Sequence, residues 1–345
     1  IRPYLGGNEV NTDPRHQHDS YVIDFEDFPL RRMESPISWS ASSETEQTDF
    51  LRTGIVPDDY AGPVAADWPE LLDIVERLVK PDRDTNKREV RRNKWWIHGD
   101  RQPTLMGKLD KMSSTDCLTI LFTSQFPNVA KVPASSYLAN SLNVFCSDSD
   151  TLLGLLQSRV HELWAQLMSS SMEDRLRYTP TDCFQNFPTP TDLEQKNHLN
   201  SVTQDYLNHR AATMTETNLG LTKTYNRFHD QFCHDADIVQ LRRLHAEMDE
   251  AVLRAYGWDD LADLAKDSSD DGAAPRFLHN EDEPEFAYQK RYHWPAWFRD
   301  KVLARLLELN RERAEAQKQP KAAMKSTKGK MTSDKLQLDT KGPLL

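Results

Sequence analysis

Apolar residues first become periodic at Leu71, Leu72, Val75, Leu78 and Val79, and this spacing predicts an amphipathic helix. Asp67 reads as its N-cap, with Pro69 just inside and Glu70 three positions after the cap. The helix is expected to stop near Lys80-Pro81, and a second, charged helix is expected over 83–94. Upstream, residues 1–19 are rich in Gly, Asn, Asp, Pro and His and read as loop with short extended pieces. Residues 20–25 are a strand candidate, and 29–65, Ser/Thr/Glu-rich and aperiodic, read as an irregular insertion. Downstream, Cys117-Leu-Thr-Ile-Leu-Phe-Thr and Leu142-Asn-Val-Phe-Cys146 predict strands separated by turns. After Asp148 the pattern turns helical, through Leu152, Leu153, Leu155, Leu156, Val160, Leu163, Trp164 and Leu167.

A Pro/Thr loop at 179–192 precedes a mostly helical remainder. There Ile238, Leu241, Leu244, Met248, Val252 and Tyr256 recur at helical spacing, and Gly257 suits the helix end. Residues 263–287 read as an acidic linker or loop, and the last helix runs from Trp294 to about Ala316. The fold class is therefore α+β. A β-containing module at 1–150 precedes a helical module at 151–316, and the Lys-rich tail at 317–345 is expected to be disordered.

Composition narrows the possibilities without naming a chemistry. At roughly 150 residues per domain, 345 residues argue for two or three domains. A net charge of −11 excludes a uniformly basic nucleic-acid coat but allows a local basic patch. No apolar run approaches the ~18 residues of a membrane-spanning helix, so no membrane partner is expected. Cys117, Cys146, Cys183 and Cys233 are far apart with no CxxC, which speaks against a zinc cluster or disulfide framework and for a reducing cytoplasm. The chain opens on Ile1, and polar residues interrupt any signal-like stretch, so it is expected to be the C-terminal part of something longer.

Catalytic motifs are missing: there is no GxGxxG, Walker A loop, GxSxG elbow or HExxH. His161-Glu162 opens like a zinc-protease helix, but Ala165 stands where the second histidine belongs, and His161 reads as a helix-surface or interface residue. His16-Gln-His18 could supply two metal ligands, but with no third ligand evident nearby two ordinary loop histidines are the favoured reading. No metal, cofactor-binding or catalytic residue is expected in this chain.

Binding candidates are easier to find. Lys87 to Arg101 is the densest run of cations and aromatics, and Arg88, Arg91, Arg92, Lys94 and Arg101 can pair with phosphates. The alternative is a solvated helix face followed by a core Trp pair, Trp95 and Trp96, one of which would face inward on an extended chain. Gly6-Gly7-Asn8-Glu9-Val10-Asn11 permits close backbone approach, and Asn8, Glu9 and Asn11 can read base edges. Taken alone, such a loop is more often a structural turn. Ser124, Gln125 and Lys131 flank a turn between the expected strands, a common place for reading residues. Lys223 and Arg227, in Thr222 to Asp230, could touch a phosphate backbone, or the segment is a loop pinned by Tyr225 and Phe228. The tail lysines would give at most a salt-sensitive, sequence-independent attraction.

At these same segments the chain resembles MmeI-like (type IIL, or IIG) restriction-modification enzymes. Ile1-Arg-Pro-Tyr-Leu-Gly-Gly-Asn-Glu-Val-Asn11 with Tyr21-Val-Ile-Asp-Phe25 is similar to the stretch just after their catalytic domain. Trp68-Pro-Glu-Leu-Leu72, Val79-Lys-Pro-Asp-Arg83, Trp95-Trp96, Leu156 to Trp164, Leu176 to Phe184, Leu221 to Asp230 and Ala255 to Leu261 continue the similarity in order. The resemblance implies a target-recognition domain followed by a helical C-terminal domain that clasps double-stranded DNA. It also implies an upstream adenine-N6 methyltransferase domain using S-adenosylmethionine, whose cofactor and Asn-Pro-Pro-aromatic motifs this chain lacks. An alternative is a stand-alone specificity or interaction subunit that docks on a separate methyltransferase.

Overall fold

A computed structural model of the chain describes residues 1–99, 101–172, 175–279, 283, 285 and 288–318. Most of the tail expected to be disordered, 319–345, lies outside the described residues. The architecture is α+β: small sheets and many helices. The residues fall into two compact units, one of Ile1–Tyr4 with Asp19–Met106, the other of Leu5–His18 with the chain from Gly107 onward.

The first unit is built around Phe25, Ala65, Val75, Trp95 and Trp96, with Leu71, Leu72 and Val79 packed against them. The periodic apolar stripe does become a helix, Pro69–Leu78. Its N-cap is Trp68 rather than Asp67. The Asp67 carboxylate instead accepts from the Val64 N–H and pairs with Arg32, so a stronger ionic partner draws it away from the cap. The charged helix expected over 83–94 is two short ones, Lys80–Asp84 and Glu89–Asn93. Trp95 and Trp96 do not take opposite sides: both are buried, with rings edge-to-face, and Trp96 Nε1 donates to the Phe28 carbonyl at 2.9 Å.

The insertion at 29–65 is more regular than its aperiodic sequence suggests. Arg31–Met33 pairs in parallel with Ile55–Pro57, and Glu44–Thr53 is a helix. Its start is a capping box, with the Ser43 side chain accepting from the Glu46 N–H and Glu46 accepting from the Ser43 N–H. Gly54 ends it at φ +78°, and a Cβ there would also strike the Trp96 ring, so glycine is required twice over.

The second unit holds an antiparallel sheet in the order Val129–Pro133, Asp116–Leu121, Leu142–Phe145. Leu118, Ile120, Val129 and Phe145 from this sheet pack with Leu153, Leu156 and Ala165. The helical stretch after Asp148 is interrupted: Asp150–Gln157 and Arg159–Met168 are separate helices, each begun by a serine cap, Ser149 and Ser158. Gly154 lets the first of these approach the helix Asn197–Thr217, because a Cβ there would collide with Thr203. Asn197–Thr217 in turn packs on Ala236–Ala255. Residues 7–12, expected as loop, are a short helix, since Glu9 closes a capping interaction by accepting from the Gly6 N–H at 2.7 Å. The acidic segment from 263 begins as helix, Asp259–Lys266, and the last helix spans Ala296–Lys318.

Candidate nucleic-acid interface

Thr123–Ser124, directly after the central strand, pairs antiparallel with Arg175–Arg177, which pairs in turn with Ser170–Met172. Side chains alternate across a strand. Leu176 is therefore buried, while Arg175 and Arg177 both stand on the exposed face. Thr123, opposite Arg177, and the following Gln125 are exposed as well. The Arg177 guanidinium lies 5.1 Å above the Phe122 ring, which fixes its stem without taking up its hydrogen-bond donors. Two arginines two residues apart on an open strand are a geometry that can meet phosphates or the acceptor edge of guanine.

The residues expected from the sequence fare unevenly. Ser124 sits opposite Leu176, and its hydroxyl is buried with no hydrogen-bond partner among the described residues. Lys131 forms an ion pair with Asp150 at 2.6 Å. In the cationic run, Arg92 donates to the Asn86 carbonyl at 2.6 Å, Arg91 to Gly99 at 3.4 Å and Lys94 to Leu51 at 3.4 Å. Arg101 is mostly buried between Asp24 and Asp27. Arg88 is exposed. The tryptophans of this run are core, as its structural reading expects, but Arg91, Arg92 and Lys94 fold back on the first unit instead of lying on a solvated helix face.

Asn8 is exposed on the short helix 7–12, Glu9 caps that helix, and the Asn11 carbonyl lies where a Cβ on Gly220 would collide. The Thr222 to Asp230 segment is a helix, Leu221–His229, with Tyr225 and Phe228 buried. Lys223 on it is exposed, and Arg227 pairs with Asp235 and Asp237.

One polar assembly was not visible in the sequence. Arg159, fully buried, pairs with Asp249, which also accepts from the Arg159 N–H at 2.8 Å and lies 3.3 Å from His245. Arg291 pairs with Glu162 at 2.6 Å, and His293 stands 3.5 Å from the same carboxylate. Burial alone would raise the pKa of Glu162, but Arg291 and His293 hold it well below the usual range. Burial, helped by Arg291, keeps His229 well below its ordinary value, and burial takes His293 down to about 4 despite Glu162. Of these residues, Arg159, Glu162, His229, His245 and Arg291 border a small cavity with Phe126, Asn128 and Gln157. They join segments more than eighty residues apart, so no local motif announces them.

His161, expected at a helix surface or interface, is fully buried, with Nε2 2.9 Å from the Tyr178 hydroxyl; burial takes its pKa down to about 3. No group of metal-ligating side chains occurs among the described residues. His16 hydrogen-bonds the Val10 carbonyl at 2.8 Å through Nδ1, as a structural histidine does. No helix among the described residues is long and apolar enough to cross a membrane.

Residues 101–191, which contain both strands with Thr123 and Arg177, match the family model described as the target recognition domain of MmeI. The chain carries an MmeI-like target recognition domain. The fold is similar to that in the solved structure of the type IIL restriction-modification enzyme MmeI in complex with DNA, with a TM-score of 0.50 at 15% identity. That similarity covers 87% of this chain and 38% of the other, so the chain spans well under half of the related enzyme. No curated protein matches the chain. Arg175 and Arg177 lie inside the matched domain but carry no clear sequence signal, because the short run Met172 to Tyr178 shows charges without a long apolar alternation.

Proposed function

We propose that this chain is the DNA-recognition part of a type IIL restriction-modification enzyme. The observation that carries the proposal is the target-recognition match at 101–191, together with the exposed arginine strand inside it. In this reading Arg175 and Arg177 bind the duplex by their guanidinium groups. Phosphate contacts fix register, and any bidentate contact to a base edge adds about 1–3 kcal/mol of discrimination. Thr123 and Gln125 offer neutral donors and acceptors beside them.

The chemistry belongs to a methyltransferase domain, in the same polypeptide or as a separate subunit, that transfers a methyl group from S-adenosylmethionine to adenine N6. No residue of this chain is assigned to holding that cofactor. An adenine within a duplex must be flipped out before its amino group can react, which costs a few kcal/mol. The recognition domain offsets that cost by gripping the surrounding duplex. The cytoplasm, where DNA is accessible, is the proposed compartment.

Titration of the chain with labelled duplex DNA at several salt concentrations tests the reading. Binding that weakens steeply with salt is expected. Undetectable or salt-independent binding, with the methyltransferase supplied, would refute it.

A further inference from the structure

We propose that Cys117 and Cys146 form a thiol pair that a disulfide oxidant converts into a covalent bond across two neighbouring strands. The argument begins with register. Leu118 faces Phe145, Thr119 faces Val144, Ile120 faces Asn143 and Leu121 faces Leu142 on the antiparallel strands Asp116–Leu121 and Leu142–Phe145. One step further along the same register sets Cys117 against Cys146. At the other end of the pairing, the Phe122 N–H donates to the Ser141 carbonyl at 2.8 Å, which marks that pair as hydrogen-bonded. Hydrogen-bonded and non-hydrogen-bonded pairs alternate along an antiparallel ladder. Counting back in twos from Phe122 makes Ile120 and Leu118 hydrogen-bonded positions, so Cys117 and Cys146 meet at a non-hydrogen-bonded one. Such pairs bring Cα atoms to about 4.5 Å with side chains close together, inside the range a disulfide tolerates.

The two thiols are chemically unequal. Cys117 is fully buried, and Cys146 is half-buried. Burial, with Cys146 beside it, pushes the Cys117 thiol up to about 12. Burial also raises Cys146, but Lys108 opposes that rise, so Cys146 is the better nucleophile as well as the accessible one. With oxidised glutathione as the oxidant, the Cys146 thiolate attacks one sulfur and expels a glutathione thiolate. Cys117 then attacks the Cys146 sulfur, its proton passing to solvent, and expels the second. Two protein thiols are oxidised to one disulfide while one glutathione disulfide is reduced to two thiols.

The site does not depend on the DNA reading, and it is tested without DNA. The folded, full-length chain is incubated with oxidised glutathione, digested without reduction, and mapped by mass spectrometry, with free thiols counted in parallel. The expected result is a fall from four thiols to two and a cross-linked peptide pair joining Cys117 to Cys146, with Cys183 and Cys233 still reduced. C117S is expected to stop at a stable glutathione adduct on Cys146, and C146S to remain unmodified at position 117. A wild-type chain that accumulates the Cys146 adduct without the cross-link, or that cross-links another pair, would overturn the proposal.

Discussion

Two cation-bearing segments of this chain look alike in sequence and differ in what they offer. Lys87 to Arg101 is the denser, yet Arg91, Arg92 and Lys94 turn back to backbone carbonyls and Arg101 is held by two aspartates. Arg175 and Arg177 are only two, but both stand on an exposed strand face beside Thr123. Cation density in sequence measures attraction for any acceptor, including the chain's own. What a nucleic acid meets is the cation left facing solvent by the local backbone. In the first segment a short helix and a buried Trp pair draw the arginines inward. In the second, strand alternation forces every other residue out.

The largest effect that would sharpen this contrast comes from a cation fully engaged inside the protein. Asp249→Ala leaves Arg159 buried without its carboxylate, and a loss of about 3–5 kcal/mol in unfolding free energy is expected. Urea titration measures it; a loss below about 1 kcal/mol, within the range of an exposed pair, would mean the Arg159 network is not tightly coupled. Next comes the exposed pair. Arg175→Ala with Arg177→Ala is expected to cost roughly 1–3 kcal/mol of DNA affinity per base-reading contact, while the unfolding midpoint stays within about 0.5 kcal/mol of wild type. A matching loss of stability would place these arginines in the fold rather than at an interface.

Acidification gives an intermediate effect. His293 and His161 are held neutral by burial, at about 4 and about 3, against an unfolded value near 6.5. The unfolded chain takes up these protons first as pH falls. Stability from the two groups is therefore intact above about pH 6.5 and declines progressively down to about 4 for His293 and about 3 for His161. Urea midpoints at pH 7.5 and pH 5 check the sign, and a higher midpoint at pH 5 would contradict it. The smallest effect is expected at Ser43→Ala, where losing the cap costs about 1 kcal/mol and leaves DNA binding unchanged.

Much of the fold was legible where apolar residues repeat. Leu71, Leu72 and Val75 announced their helix, and Leu118, Ile120, Val144 and Phe145 their strands. The Glu44–Thr53 helix was hidden because its evidence is a cap and a terminal glycine rather than an apolar stripe; Ser43 and Glu46 stood in the sequence as the signal. The break at Ser158 leaves no trace in the apolar pattern, because leucines continue across it. The Arg159–Asp249 and Arg291–Glu162 pairs were beyond reach, since pairing between distant segments leaves no local spacing to read. The candidate interface lay between these cases: the helical and loop candidates were found by composition, whereas Arg175 and Arg177 needed the strand to show which way they face.

The most direct test is the salt dependence of duplex DNA binding by the full chain, by fluorescence anisotropy, for wild type and for two double variants. If Arg175 and Arg177 both lie on phosphates, replacing them with alanine should reduce the log–log salt slope by about 1.8, whereas Arg91→Ala with Arg92→Ala should leave it unchanged. The opposite pattern, with the slope lost at Arg91 and Arg92 and kept at Arg175 and Arg177, would contradict the account.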